Sequence, residues 1–337
     1  MVAQLDSTFL RIAPGRVGSR LVGYSFFEGR PATTKGRWWN PVVFANLRHA
    51  AGKPGLVGSR VDRPIFIVGM GRSGTTLLGR ILAAHPDVGF LNEPKALWHV
   101  IRADEDIIGS YAESHAGRLR LGPGDAGPDV CERAHALFTW YLRASRSRRL
   151  VDKYPELIFR HAFVRALFPD ARFLIATRSP WSTLESVARW SDSHAVEDAD
   201  WWGVEDQKWD ILWKQGVEQS RANADLRTLE LAGETDQRVR AAVEWIVSMR
   251  EATSLAAIDR YAQLVSYEKL TRSPRQAVRE ILSFCELPAS PRTEAYADAI
   301  VSGQGIGGGR GDLSAPLPDF LAGAMAATWS ELKPVAC

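Results

Sequence analysis

The chain is predicted to be an α/β protein, with a doubly wound, five-stranded parallel sheet flanked by helices, a helical insertion and an N-terminal extension. Three observations carry this prediction. From residue 62 onward, short β-branched runs alternate with longer helical patterns, as expected for parallel strands joined by crossover helices. A glycine-rich turn lies between the first strand and the first helix of that series, and Ser-Pro pairs stand where two later helices should begin. The 337 residues, 45% hydrophobic and 24% charged, suit a large globular domain with insertions or about two domains, and exclude a disordered chain, a collagen-like fibre or a disulfide-stapled miniprotein.

Residues 65–68, Ile-Phe-Ile-Val, form the first expected strand. The helix 75–84 follows, with Leu77, Leu78, Ile81 and Leu82 at helical spacing, and His85-Pro86-Asp87 ends it because proline disfavours helical geometry in the residue before it. Further strands are expected at 88–91, 149–152, 172–176 and 263–266. A helix at 156–168 would bury Ile158, Phe159, Ala162, Phe163 and Ala166. Ser179-Pro180 and Ser273-Pro274 each open another helix, the second running through Cys285.

Residues 1–61 read as an extension packed on the core, and 62–337 as one α/β domain with a helical lid insertion at about 190–260. The insertion opens on an acidic stretch holding Trp201, Trp202 and Trp209. These rings fit a lid over a bound aromatic or cationic compound, and equally a solvated acidic face. The net charge of +3 gives no reason to expect nucleic acid as a partner. Residues 1–63 nevertheless carry ten Lys/Arg against three Asp/Glu, which would suit proximity to anionic lipid or to an anionic ligand. Arg143, Arg146, Arg148 and Arg149 read as a solvated helix end. Cys131, Cys285 and Cys337 form neither a disulfide framework nor a metal-ligand pattern. With no transmembrane run and no secretory signal, a cytoplasmic protein is expected, although the Arg-rich, acid-poor start also has the character of an organelle transit peptide. The oligomeric state is left open.

The strongest chemical signal is Gly69-Met70-Gly71-Arg72-Ser73-Gly74-Thr75-Thr76. Glycines between a strand and a helix let backbone N–H groups turn onto an anion, and the helix N-terminus adds its dipole. Arg72 contributes a fixed charge, while Thr75 and Thr76 contribute hydroxyl donors. The loop is P-loop-like without the usual pattern, since Thr75 stands where G-x-x-x-x-G-K-[ST] would place lysine. Phosphate fits this loop better than a magnesium–ATP complex.

Residues 65–78, IFIVGMGRSGTTLL, resemble the 5′-phosphosulfate loop of the sulfotransferases that use 3′-phosphoadenosine 5′-phosphosulfate (PAPS). The family's second motif, a strand ending in Arg with Ser eight residues later, is matched by Arg178 and Ser186. The resemblance implies a P-loop-like fold, PAPS as co-substrate, adenosine 3′,5′-bisphosphate as product, and Arg178 with Ser186 on the 3′-phosphate. It covers residues 62–190 well and 235–290 more loosely, with Tyr267-Glu268 like the Tyr-Glu of relatives. Gly71, Arg72, Ser73, Gly74, Thr75 and Thr76 would hold the 5′ end. Arg310, in the glycine-rich stretch near the C-terminus, is a weaker candidate for the 3′-phosphate.

Sulfuryl transfer needs a base for the acceptor proton and cations for the leaving phosphate. Glu93, in Leu91-Asn92-Glu93-Pro94, is the expected base. Its place 21 residues after Arg72 resembles the catalytic glutamate of the protein-tyrosine sulfotransferase branch. His99 is the nearest alternative. An ordinary carboxylate with a pKa of ~4.3 is a weak base, so burial is expected to raise that of Glu93. Lys153 resembles the lysine that assists the leaving oxygen in the same branch, and Arg72 would act beside it. No metal is expected. The acceptor could be a small molecule, glycan, lipid or peptidyl tyrosine. A P-loop kinase or NTPase and a catalytically silent nucleotide-binding protein are the competing readings.

Overall fold

A computed structural model describes residues 3–111, 116–194, 199–229, 231–303 and 317–336. The strands are β1 (Ile65–Gly69), β2 (Val88–Asn92), β3 (Arg149–Lys153), β4 (Arg172–Thr177), β5 (Ala199–Asp200), β6 (Gly203–Val204) and β7 (Ala262–Ser266). Five of them form one sheet in the order β2-β3-β1-β4-β7, all neighbours parallel, while β5 and β6 make a small antiparallel hairpin. All five expected strands are present. Their apolar runs are continuous because both faces of the sheet are covered. Phe66 and Val68 join an apolar layer with Trp98, Phe138 and Phe168, whereas Ile65 and Ile67 point the other way, toward Leu78, Ile281 and Tyr296.

The connection from β1 runs to β2 on one side of the sheet, and that from β3 crosses β1 to reach β4 on the other. Connections that part in this way leave a crevice at the carboxyl ends of the strands, where open α/β sheets hold their ligands.

The helix expected at 156–168 is interrupted. A 3₁₀ segment, Pro155–Arg160, precedes the α-helix His161–Leu167. Arg160 leaves helical geometry at φ −125°, and its buried guanidinium bonds the Glu105 carboxylate at 3.0 Å and the Glu105 carbonyl at 2.6 Å. The stretch expected as a helical lid is also more varied. It contains the β5–β6 hairpin and short helical turns, and its last helix, Gln237–Ile258, is buried along most of its length. That helix packs on the helices Pro180–His194 and Asp319–Ala336 and leads into β7, so it belongs to the core.

The N-terminal segment closes the β2 edge of the sheet. Arg16 donates to the Val88 carbonyl, Arg20 donates to the Phe90 carbonyl at 2.8 Å, and the Asn92 amide donates to Glu28 at 2.8 Å. Side chains thereby satisfy backbone groups that an open edge would offer to another chain. Arg20 and Glu28 form a buried ion pair at 2.6 Å. Part of the basic excess of this segment is therefore structural. Arg149 is likewise buried rather than solvated, donating to the carbonyls of Arg63 at 2.8 Å and Cys285 at 2.9 Å. Among the described residues, no helix is long and apolar enough to cross a membrane.

Candidate functional site

The loop between β1 and the helix Thr75–Ala83 has the backbone that its glycines imply. Gly74 caps the helix at φ +88°, in the left-handed region, and a Cβ placed there would meet the Tyr267 ring at 2.5 Å. Ser73 is buried, and its Oγ finds no hydrogen-bond partner among the described residues. An unsatisfied buried hydroxyl costs roughly 1–3 kcal/mol, a cost that a ligand accepting its hydrogen bond would remove.

Arg72, Arg80 and Arg178 stand around this turn, Arg80 being paired with Asp6. Partial burial, followed by the nearby Arg178, lowers the Arg72 pKa, with Glu93 acting in the opposite sense and Arg189 adding a further repulsion. Arg178, directly after β4, donates to the Arg72 carbonyl at 2.9 Å and lies 4.4 Å over the Tyr267 ring. The Ser186 hydroxyl accepts from Arg72 Nε at 3.0 Å. Arg72, Gly74, Thr75, Thr76, Arg178, Ser186 and Tyr267 line one cavity of about 190 Å³. Like charges brought together around backbone donors favour an anion. The Tyr-Glu pair after β7 supports this arrangement from below: Tyr267 packs at Gly74, while Glu268 accepts from the Ser179 amide at 2.9 Å.

Glu93 and Lys153 meet at the carboxyl ends of β2 and β3. The parallel register pairs Asn92 with Lys153, so Glu93 is the next residue out. Glu93 takes φ +49°, a left-handed conformation that costs a non-glycine residue about 1–2 kcal/mol. Its amide donates to the Lys153 carbonyl at 2.6 Å, and its carbonyl accepts from the Lys95 amide at 2.7 Å. The buried Lys153 ammonium donates to the Glu93 carboxylate, and Lys95 stands 3.8 Å from its second oxygen. Burial alone would raise the Glu93 pKa, but Lys153 and then Lys95, with Lys208 more weakly, overcome it and hold the carboxyl at about 2. The expected upward shift is thus reversed, because lysines from three different elements converge on one carboxylate.

A second cavity, of about 80 Å³, adjoins this pair and includes Gly71, Trp190, Trp201 and Lys208 in its lining. Gly71 belongs to this cavity and its neighbour Arg72 to the other, so the two spaces meet at consecutive residues of the loop. A Cβ at Gly71 would stand 2.5 Å from the Trp201 ring. The Trp201 indole N–H donates to Glu244 at 2.7 Å, which also pairs with the buried Lys208 at 2.7 Å. Of the three tryptophans expected in a lid, Trp201 therefore reaches the loop, whereas Trp202 and Trp209 are wholly buried.

His99 lies elsewhere. It packs against Phe44 and Tyr111, and burial lowers its pKa despite the nearby Asp106. It lines neither of these cavities. Arg310 falls outside the described residues. Lys95, Lys208 and Glu244 carry no local signal in the sequence. Lys95 directly follows Glu93-Pro94, yet a lysine in the first turn of a helix usually reads as solvated. Lys208 and Glu244 come from distant segments and share no local pattern. Among the described residues, no group of three or more His, Cys, Asp or Glu is placed to hold a metal ion.

The sequence matches the Sulfotransferase family over residues 64–291, more than half of the chain. It is similar to a protein-tyrosine sulfotransferase of Drosophila melanogaster, with 33% identity over 126 residues, covering 36% of this chain and 24% of that protein. It is also similar to the nodulation protein NoeE of Sinorhizobium fredii, with 25% identity over 228 residues, covering 65% of this chain and 48% of that protein. The chain spans about half or less of the length of these two relatives. A sulfotransferase domain from the curacin biosynthetic pathway aligns with 81% of this chain and 99% of its own at 17% identity and a TM-score of 0.47. A sulfotransferase from Mycobacterium tuberculosis aligns with 88% of each chain at 18% identity and the same TM-score of 0.47. The matched residues run from β1 past β7 and take in the glycine-rich loop, Glu93, Lys153, Arg178 and Ser186: this chain belongs to the sulfotransferase family.

Proposed function

We propose that the protein transfers a sulfuryl group from PAPS to an acceptor hydroxyl and releases adenosine 3′,5′-bisphosphate. The observation that carries this reading is Glu93, bonded to Lys153 and lining a small aromatic-walled cavity that meets a cation-rich cavity at the consecutive residues Gly71 and Arg72. Backbone amides of residues 71–76, with Arg72, Ser73, Thr75 and Thr76, hold the 5′-phosphosulfate. Arg178 and Ser186 hold the 3′-phosphate. The acceptor hydroxyl occupies the cavity beside Glu93.

In the transfer, a new bond forms between the acceptor oxygen and sulfur as the bond from sulfur to the bridging phosphate oxygen breaks. The electron pair leaves on the phosphate, where Lys153 and Arg72 stabilise it, and the acceptor proton passes to Glu93. A carboxylate at about 2 is a poor base while Lys153 is bonded to it. When Lys153 turns to the leaving oxygen, Glu93 loses its strongest cationic partner and becomes more basic as the donor engages, with Lys95 and Lys208 still near. Free Cys131 and Cys285 suit a reducing, cytoplasmic setting.

The test is transfer of labelled sulfate from PAPS to a panel of small hydroxyl compounds. Wild-type protein should turn over at least one of them. Glu93→Gln should abolish turnover while retaining affinity for adenosine 3′,5′-bisphosphate. Equal turnover by that variant removes Glu93 from the mechanism.

A further inference from the structure

We propose that the surface around Trp38 docks on an anionic lipid bilayer. Residues 29–61 contain six Lys/Arg and no Asp or Glu. Arg30 is buried, but Lys35, Arg37 and Arg48 are exposed, and none of these three forms an ion pair with a carboxylate among the described residues. Among the described large apolar side chains, Trp38 is the most exposed, at 78%. Its ring lies edge-on to Trp39 at 5.5 Å, and Trp39 in turn faces Phe26 at 6.4 Å. Val42, 40% exposed, follows Trp38 by four residues at the start of the helix Asn40–Ala51. The patch is fixed from below, because Val43, Leu47 and Ala50 of that helix are buried and the Trp39 indole donates to the Ser25 carbonyl at 2.6 Å.

An exposed indole with Lys35 and Arg37 beside it in the chain, and Arg48 exposed on the helix that follows, matches the chemistry of a bilayer surface. The ring settles at the headgroup level, and the cations face anionic headgroups. A second copy of the chain fits poorly, since a two-fold contact through this face would set its cations against themselves. The surface also adjoins the site: Thr33 lines the cavity at Glu93, and the five residues from there to Trp38 span at most about 18 Å.

The experiment is flotation of the full chain with lipid vesicles, read without turnover, so its outcome is independent of the sulfuryl-transfer reading. Wild-type protein should float with phosphatidylcholine vesicles containing about a third phosphatidylglycerol, and about tenfold less with pure phosphatidylcholine. High salt should release it. Trp38→Ser with Val42→Ser, and separately Lys35→Glu with Arg37→Glu, should each reduce flotation about tenfold at an unchanged urea midpoint. Absence of flotation at low salt, or equal flotation by the Trp38→Ser/Val42→Ser variant, overturns the proposal. Retention on immobilised polyglutamate without vesicle binding also overturns it, since the face would then take an acidic polypeptide.

Discussion

Lys153 and Glu93 are joined twice across adjacent parallel strands: the Glu93 amide donates to the Lys153 carbonyl at 2.6 Å, and the Lys153 ammonium donates to the Glu93 carboxylate. The backbone bond fixes the distance between the two residues, whereas the side-chain bond can be exchanged. This arrangement keeps the carboxylate charged and occupied.

The pair should be visible in acid stability. The folded-state pKa of Glu93, about 2, lies below the ordinary glutamate value of ~4.3. Its contribution to stability is therefore complete above that ordinary value and disappears as the pH falls toward about 2. Urea midpoints measured across this window should fall less steeply for Lys153→Met than for wild type. Parallel curves would show that Lys153 does not hold Glu93 down.

Arg178 and Ser186 are proposed to hold the 3′-phosphate. Loss of a charge-assisted hydrogen bond costs about 1.5–3 kcal/mol, so Arg178→Ala should weaken adenosine 3′,5′-bisphosphate by about ten- to a hundredfold. Adenosine 5′-monophosphate should change far less. Calorimetric titration of both nucleotides checks this, and equal weakening of the two would count against the assignment.

Gly71 leaves no space for a methyl group beneath Trp201. Gly71→Ala should destabilise the protein by about 1–3 kcal/mol through overpacking. Trp201→Ala should absorb most of that penalty in the double variant, giving a non-additive cycle by urea unfolding. Simple additivity would mean that the two do not touch.

The β2 edge offers a prediction remote from the chemistry. Arg20→Ala strands Glu28 in a buried environment and should cost about 3–5 kcal/mol of stability. Replacing both partners with apolar residues should cost less. Urea unfolding of the three proteins separates these outcomes, and an equal or larger loss in the double variant would contradict the role given to the pair.

The legible parts of the sequence were those set by local chain geometry. Strands buried on both faces appear as unbroken apolar runs, and residues just past strand ends fall at one edge of the sheet. Arg72, Glu93, Lys153 and Arg178 could therefore be read with their positions. Properties that depend on convergence could not. The depression of Glu93 needs Lys95 from the following helix and Lys208 from beyond the β5–β6 hairpin. The break at Arg160 depends on Glu105, 55 residues away. Arg149 read as surface because the carbonyls it caps belong to remote segments.

The Gly71–Thr76 turn and Arg178 are proposed to clasp one nucleotide at both of its phosphate ends. The most direct test is calorimetric titration of wild-type protein with adenosine 3′,5′-bisphosphate and, in parallel, adenosine 5′-monophosphate and ATP with magnesium. The bisphosphate should bind at least about tenfold more tightly than either competitor. Equal affinity for all three, or preference for magnesium–ATP, would show that the site does not grip a 3′-phosphate.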